Sequence, residues 1–533
     1  METQEISAEK LLGIIEEKDR KIAELEKQLQ WLMSQIRLAK HKQFGTSSEK
    51  TDGSQLSLFN EAESHADMTI PEPKISEVKT HYRKRTRLTT DKLPKELPIE
   101  IIEYELPAED CICPECGSDM HSMGKEIREE LKIIPAKAII TRHVQHVYAC
   151  RNCEETSDHV PIVKADMPEP VIKGGFASPE TIAHIAVQKF MMASPLYRQE
   201  QEWKQNGILL SRQTMSNWLI KASEDWLMPI YEEMKHRLCE HEVLHGDETT
   251  LQVLKEPGKA AQSKSYMWLY RTSGEAKHQI VIYDYQPDRK HIHPEKFLKD
   301  FKGYLHADGY EGYHKLPENI IVVGCLAHLR RKFFDAFKTL PKEKQPESNA
   351  AKGVAYLDKL FHFEKQFAPL TPDNRLKDRK RLSRPLFDEF YNWIEGLAAL
   401  PNTLLGKAVH YAKSQRKYLE RYLFDGRLEI SNNRAERSIK PFVIGRKNWL
   451  FANTPNGARA SAVYYSLIVS ARENGLKPFE YLTWIFTNAP NLGKAGYTTS
   501  VKDFLPGSAD IPEKVFTPQP GDTNLKKFAW EED

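Results

Sequence analysis

Three carboxylates stand where they could share a divalent metal site. Asp247 lies in a run that reads as a strand, Asp308 closes another such run, and Glu436 comes 128 residues later, where a loop turns into a helix. Acids brought together in this way can hold two Mg²⁺ (or Mn²⁺) ions ~3.5–4 Å apart and direct in-line attack on a phosphodiester. The same residues admit plainer readings. Asp308-Gly309 is a common turn pair, and Asn433-x-x-Glu436 has the spacing of a capping box.

The cysteines form a second constellation. Five of the seven fall between Cys111 and Cys153, with two C-x-x-C knuckles, Cys113-Pro-Glu-Cys116 and Cys150-Arg-Asn-Cys153, separated by 33 residues. That spacing lets Cys113, Cys116, Cys150 and Cys153 close tetrahedrally round a structural Zn²⁺. Strands expected over 129–134 and 138–149 complete a zinc ribbon within 101–165. Cys111 is spare, and Cys239 and Cys325 read as inert thiols among apolar neighbours.

The elements that must position the carboxylates follow from hydrophobic patterning. Strands are expected over 243–254, 265–272 and 278–285, then a helix over 294–301, strands over 303–308 and 320–325, and a helix over 327–337. This is close to the ribonuclease-H-like order, without an evident helix between the last two strands. It places Asp247 in the first strand and Asp308 at the end of the fourth, and sends Glu248 to the opposite face from Asp247. The core thus spans 240–337 and 425–488. Residues 338–424 between them, rich in Leu, Lys, Glu and Arg at helical spacing, read as an all-helical insertion, and 489–533 as a tail. The fold class is multidomain α+β.

Ahead of this core, 170–235 reads as a helix-turn-helix region. Ser178-Pro179 opens a helix, a second runs over 196–206 to a stop at Gly207, and Ser211 caps a third. Arg212, Gln213 and Asn217 at the start of that last helix suit contact with base edges. Further forward, Leu11, Ile15, Lys18, Ile22, Leu25, Leu29, Leu32 and Ile36 repeat at alternating spacings of 4 and 3. They predict a coiled coil over 7–40 that joins chains into a homodimer or higher oligomer. Residues 41–100 are too polar to order themselves and read as a disordered linker carrying basic clusters. Within it Gln55-Leu56-Ser57-Leu58-Phe59 resembles the pentapeptide by which bacterial proteins dock on the DNA polymerase sliding clamp, with Gln55, Leu58 and Phe59 as anchors.

Several of these stretches resemble the insertion-sequence-66 family of bacterial transposases. The likeness rests on His245-Gly246-Asp247-Glu248-Thr249, His306-Ala307-Asp308-Gly309-Tyr310-Glu311-Gly312-Tyr313, Gly324-Cys325-Leu326-Ala327-His328-Leu329-Arg330-Arg331-Lys332-Phe333 and Asn432-Asn433-Arg434-Ala435-Glu436-Arg437. It extends to Ile444-Gly445-Arg446-Lys447-Asn448-Trp449, to Gln43-Phe44-Gly45, and over nearly the whole chain up to about Asn488. The resemblance implies a DDE-type transposase whose acidic triad is Asp247, Asp308 and Glu436. Such an enzyme cuts and joins strands at the ends of an insertion sequence, aided by accessory proteins of the same element. On that reading His328, Arg330 and Arg331, with Arg437, Lys440, Arg446 and Lys447, supply positive charge for phosphates near the site. Ser431 stands where many members have Asp.

Charge and composition bound these readings. Lys plus Arg is 77 and Asp plus Glu 75 in 533 residues, a net charge of +2 that excludes a protein coating DNA by charge alone. It leaves room for local basic patches. A hydrophobic fraction of 40% suffices for globular cores. No apolar run approaches the ~20 residues of a spanning helix, and Met1-Glu2-Thr3-Gln4-Glu5 lacks the features of a signal peptide. The expectation is a cytoplasmic, nucleoid-associated protein with no membrane partner. Two competing classes are a non-catalytic DNA-binding regulator and a nuclease that cuts without joining.

Overall fold

The computed structural model describes Lys18, Lys21 and residues 138–150, 162–494 and 497–517. The coiled-coil seam other than Lys18, the linker with Gln55, Leu58 and Phe59, the ribbon ligands Cys113, Cys116 and Cys153, and residues 518–533 lie outside the described residues. The chain divides into two compact units, residues 1–49 with 168–517, and residues 50–167 with 518–533.

In the smaller unit, β1 (Val147–Ala149) pairs antiparallel with β2 (Ile162–Lys164), Tyr148 lying opposite Val163. The strand expected over 138–149 is therefore corrected to its last three residues, because 138–146 has no ladder partner among the described residues. Gln145 Nε2 donates to the Ala165 carbonyl at 2.7 Å, tying the segment before β1 to the end of β2.

The larger unit begins with four helices, α1 (Pro179–Phe190), α2 (Leu196–Gln205), α3 (Arg212–Ala222) and α4 (Met228–Cys239). The hydroxyls of Ser178 and Ser211 accept from the amides of Thr181 and Thr214, so both expected caps form. Gly207 takes a φ of +76° after α2, a left-handed conformation that suits glycine. Met215, Trp218, Leu219 and Ala222 turn the buried side of α3 inward.

Five strands follow: β3 (Val243–Gln252), β4 (Lys264–Thr272), β5 (Val281–Gln286), β6 (Gly303–His306) and β7 (Ile320–Val323), in the spatial order β5-β4-β3-β6-β7. The first three meander antiparallel, whereas β3, β6 and β7 run parallel. Parallel pairing needs a crossover, here carried by β4, β5 and the short helix α5 (Ile292–Phe297). β7 leads into α6 (Leu326–Lys338). Asp308 stands two residues past the end of β6 rather than inside it.

Residues 349–419 carry the helices α7 (Asn349–Phe367), α8 (Pro372–Asp378), α9 (Arg384–Glu395) and α10 (Leu404–Leu419). They share a hydrophobic core with the inner side of α6, built on Leu329, Phe333, Leu360, Phe390 and Leu419. Arg379, 1% exposed, binds the Glu364 carboxylate and donates to the carbonyls of Tyr422, Asp425 and Leu428. It thereby anchors the returning chain, which enters α11 (Asn433–Trp449), α12 (Pro455–Glu473) and α13 (Pro478–Asn488).

A larger core joins both ends of the unit. α1 lies against α12 and α13, α12 covers β5, and α11 crosses β3. The rings of Phe190 and Tyr464 stack at 4.8 Å. The helices at 179–222 therefore belong to the same core as the sheet. Among the described residues no helix is long and apolar enough to cross a membrane.

Candidate functional site

Alternation along β3 and its neighbour arranges the site. His245 and His306 are register partners on β3 and β6. Side chains two apart on a strand share a sheet face, so Asp247 lies one step beyond His245 on β3, while Asp308 follows His306 by two residues in the turn past β6. Asp247 Oδ1 accepts from the Glu248 amide at 2.8 Å, and Asp308 Oδ1 from the Tyr310 amide at 2.9 Å. Burial pushes the Asp247 carboxyl well above its ordinary range, with the charges of Glu248, Asp308 and Glu436 adding to the rise. Glu248 faces away and is occupied, accepting from Arg289 Nε and from the Tyr313 hydroxyl, each at 2.8 Å.

Glu436 rises from the first turn of α11. The capping box does not form, because Asn432 occupies the cap position and its side chain is used elsewhere. Glu436 Oε1 is buried without a hydrogen-bond partner, 3.8 Å from His328 Nε2, while Oε2 is 3.6 Å from Arg331 Nη2. Ligand atoms of Cys325, His328 and Glu436 all lie within 4.8 Å of one another. Asp247 and Asp308 stand outside that grouping.

A buried polar layer supports the acids. The imidazoles of His245 and His306, both fully buried, stack at 4.4 Å with 13° between their planes. Asn432 holds β3 from α11: Oδ1 is 3.0 Å from His245 Nδ1 and Nδ2 donates to the Gly246 carbonyl at 2.7 Å. Its amide also donates to Cys325 Sγ at 3.1 Å, reaching the start of α6. The Glu429 amide donates to His306 Nε2 at 3.2 Å, and its carboxylate accepts from Arg434 Nε at 2.7 Å. Burial opposes ionisation of Glu429, but His245 and Arg434 outweigh it and hold the carboxyl well below its usual range. Burial and the neighbouring His245 push His306 well below the ordinary histidine value. Neither Asn432, Glu429 nor the histidine pair carried a role in the sequence reading. The repeated His-x-Asp was the available signal.

The helical segment also reaches this site. A Cβ on Gly309 would meet the Tyr411 ring at 2.8 Å, so only glycine lets α10 approach beside Asp308.

The basic candidates divide. Arg331 lies at Glu436, but Arg330 turns to Asp358 on α7. Arg446 bonds the Thr249 and Thr250 hydroxyls at 3.0 and 3.1 Å and so staples α11 to β3. Arg437, Lys440 and Lys447 are exposed. At the other end of the unit, Arg212, Gln213 and Asn217 are exposed on α3, with Gln213 Nε2 donating to Asn217 Oδ1 at 2.9 Å. Of the four knuckle cysteines only Cys150 is described, and it is exposed.

Comparison with known proteins adds three profile matches. "Transposase IS66 family" matches residues 174–460, "zinc-finger binding domain of transposase IS66" residues 110–154, and "Transposase C of IS166 homeodomain" residues 31–102. Uncharacterized protein y4hP of Sinorhizobium fredii (strain NBRC 101917 / NGR234) is 30% identical over 429 residues, covering 77% of this chain and 75% of the relative. Uncharacterized protein y4qI of the same strain is 29% identical over 486 residues, covering 86% and 85%. A solved structure, "Drosophila P element transposase strand transfer complex", is 12% identical and covers 55% of this chain and 92% of its own, at a TM-score of 0.32.

Proposed function

We propose a strand-cutting and strand-joining reaction on a firm premise: this chain belongs to the IS66 transposase family. The substrate is DNA at the ends of an insertion sequence, and the freed 3′ end is then joined to target DNA. The sheet, in the order β5-β4-β3-β6-β7, is read as a ribonuclease-H-like core interrupted by the helices of 349–419. The observation that carries the reading is Glu436 Oε1, buried without a hydrogen-bond partner, together with an Asp247 carboxyl pushed up by burial first and then by the charges of Glu248, Asp308 and Glu436.

The residues fit a divalent cation. Three acids from separate segments repel one another, and Glu436 Oε1 is buried with no donor. Asp247, Asp308 and Glu436 would hold Mg²⁺ or Mn²⁺. Bound there, the metal supplies Lewis acidity to the attacking hydroxyl and to the leaving oxygen. The chain's own part is positioning. β3 and the turn after β6 set the two aspartates, Asn432 sets α11 and hence Glu436, and Tyr411 beside Gly309 closes one wall. Arg331 offers a half-exposed guanidinium to a phosphate. Arg437, Lys440 and Lys447 extend positive charge along α11, and Arg212, Gln213 and Asn217 read sequence from α3.

Around this core the remaining proposals are a self-associating N-terminal coil and a ribbon zinc held by Cys113, Cys116, Cys150 and Cys153. Accessory proteins of the element, and clamp docking through Gln55, Leu58 and Phe59, complete the set. The test is cleavage and strand transfer on DNA carrying the element ends, with Mg²⁺. Wild type should yield nicked and then joined product, and Asp308→Ala neither. Equal activity in the two would overturn the triad, and cleavage without joining would favour a nuclease.

A further inference from the structure

Glu436 has a second set of neighbours that differ in kind from the two aspartates. Cys325, buried, precedes α6; His328 sits in the first turn of that helix; and a thiol, an imidazole and a carboxylate converge with all ligand atoms within 4.8 Å. Glu436 Oε1, 3.8 Å from His328 Nε2, is buried without a hydrogen-bond partner, and so is the other nitrogen of that ring, His328 Nδ1. Side chains that leave such atoms unmet are short of a donor or a cation. We propose that Cys325, His328 and Glu436 form a second metal site, selective for a borderline-soft divalent ion such as Zn²⁺, which competes with the carboxylate site for Glu436 and so inhibits the enzyme.

Ligand chemistry separates the two sites. Sulfur and imidazole nitrogen suit zinc, whereas Mg²⁺ takes oxygen. A thiophilic ion would bind the Cys325 sulfur as thiolate and displace its proton. The Asn432 amide already points at Cys325 Sγ from 3.1 Å, a donor that supports a coordinated thiolate. Tetrahedral zinc holds its ligand atoms about 3.3–3.8 Å apart, so closure from 4.8 Å or less needs side-chain adjustments of about 1 Å. Three protein ligands leave a fourth position for water. The side chains of His328 and Glu436 are 27% and 26% exposed, which provides the way in. Arg331, 3.6 Å from Glu436, is half-exposed and free to swing into solvent as the cation arrives.

The binding half of this proposal stands on geometry, and the inhibitory half rests on the reading of Glu436 as a catalytic ligand. The experiment uses full-length protein isolated with zinc in its ribbon, to which Co²⁺ is added as the probe. Wild type should gain a sulfur-to-cobalt charge-transfer band, and total metal should rise to about two ions per chain. Cys325→Ala and His328→Gln should each weaken uptake by more than about 100-fold, beyond what loss of an outer hydrogen bond costs. Asp247→Asn should keep the band. A wild type without the band, a band that persists in Cys325→Ala, or one that disappears in Asp247→Asn would each overturn the site. In strand cleavage with Mg²⁺, added Zn²⁺ should inhibit wild type and spare Cys325→Ala, and equal inhibition of both would overturn the competition. Absence of any Mg²⁺-dependent cleavage would instead defeat the catalytic reading, and the metal site would then stand or fall with the cobalt band.

Discussion

Two layers built from the same strands differ in how their charges are met. In the lower one, His245, His306, Asn432 and Glu429 are joined by hydrogen bonds, and the one carboxylate has Arg434 beside it. One step along β3 and past β6 stand Asp247 and Asp308, and burial, with the charges of Glu248, Asp308 and Glu436 adding to it, pushes Asp247 toward its neutral form. The lower layer ties β3 and β6 to the segment that leads into α11, and in the upper one Glu436 Oε1 has no hydrogen-bond partner. A site that binds metal needs both, because repelling acids stay close only if something beneath them does not move.

The largest expected effect breaks the upper layer's chemistry and leaves the fold. Asp247→Asn or Glu436→Gln should lower strand cleavage by about 1,000-fold or more, since each removes a ligand from a site worth several kcal/mol to the reaction. Thermal unfolding should show the variants no less stable than wild type, as the repulsion has been relieved. A large loss of stability would show that these acids are structural.

Next comes the lower layer. Asn432→Ala leaves His245 Nδ1 and the Gly246 carbonyl without their partner in the interior, which should cost about 2–4 kcal/mol in chemical denaturation. Cleavage should fall even at temperatures where the variant is folded, with DNA affinity largely kept, because Glu436 loses its fixed distance from β3.

Asp284 on β5 supplies a second buried acid, away from the candidate site, its carboxyl raised to about 6 chiefly by burial. Its folded value lies above the unfolded one of about 3.9, so ionisation opposes folding. That cost is absent below about pH 4, grows as the pH climbs through the unfolded value toward about 6, and is complete above it. Asp284→Asn should accordingly raise stability by about 1–3 kcal/mol at pH 7.5, with the gain vanishing near pH 4. A gain independent of pH would show that the carboxyl is not the cause.

The smallest effect is expected at the rim. Arg331→Ala removes a half-exposed ion pair with Glu436 and should change stability by no more than about 0.5 kcal/mol, while weakening DNA binding most at low salt.

Much of this was legible locally. Ser178 and Ser211 announce helix starts through side chains that reach only three residues, Gly207 marks a stop through its own φ, and the strands around Asp247 and Asp308 show in their apolar patterning. The membership of Asp247, Asp308 and Glu436 in one candidate group followed from motif resemblance. Their supports did not, because Asn432 and His245 are 187 positions apart and polar residues at such distance leave no periodic trace.

By itself, then, the sequence determined most elements of the larger unit, two groups of candidate ligands and the family, all of which are encoded in short windows. Tertiary structure alone decided that helices 179–222 share a core with the sheet, that Arg330 turns to Asp358, and that Arg446 is spent on β3. It also decided that ligand atoms of Glu436, Cys325 and His328 come within 4.8 Å of one another, a grouping without Asp247 or Asp308. Local preference acts along the chain, whereas a side chain's partner is set by whichever distant segment burial brings beside it.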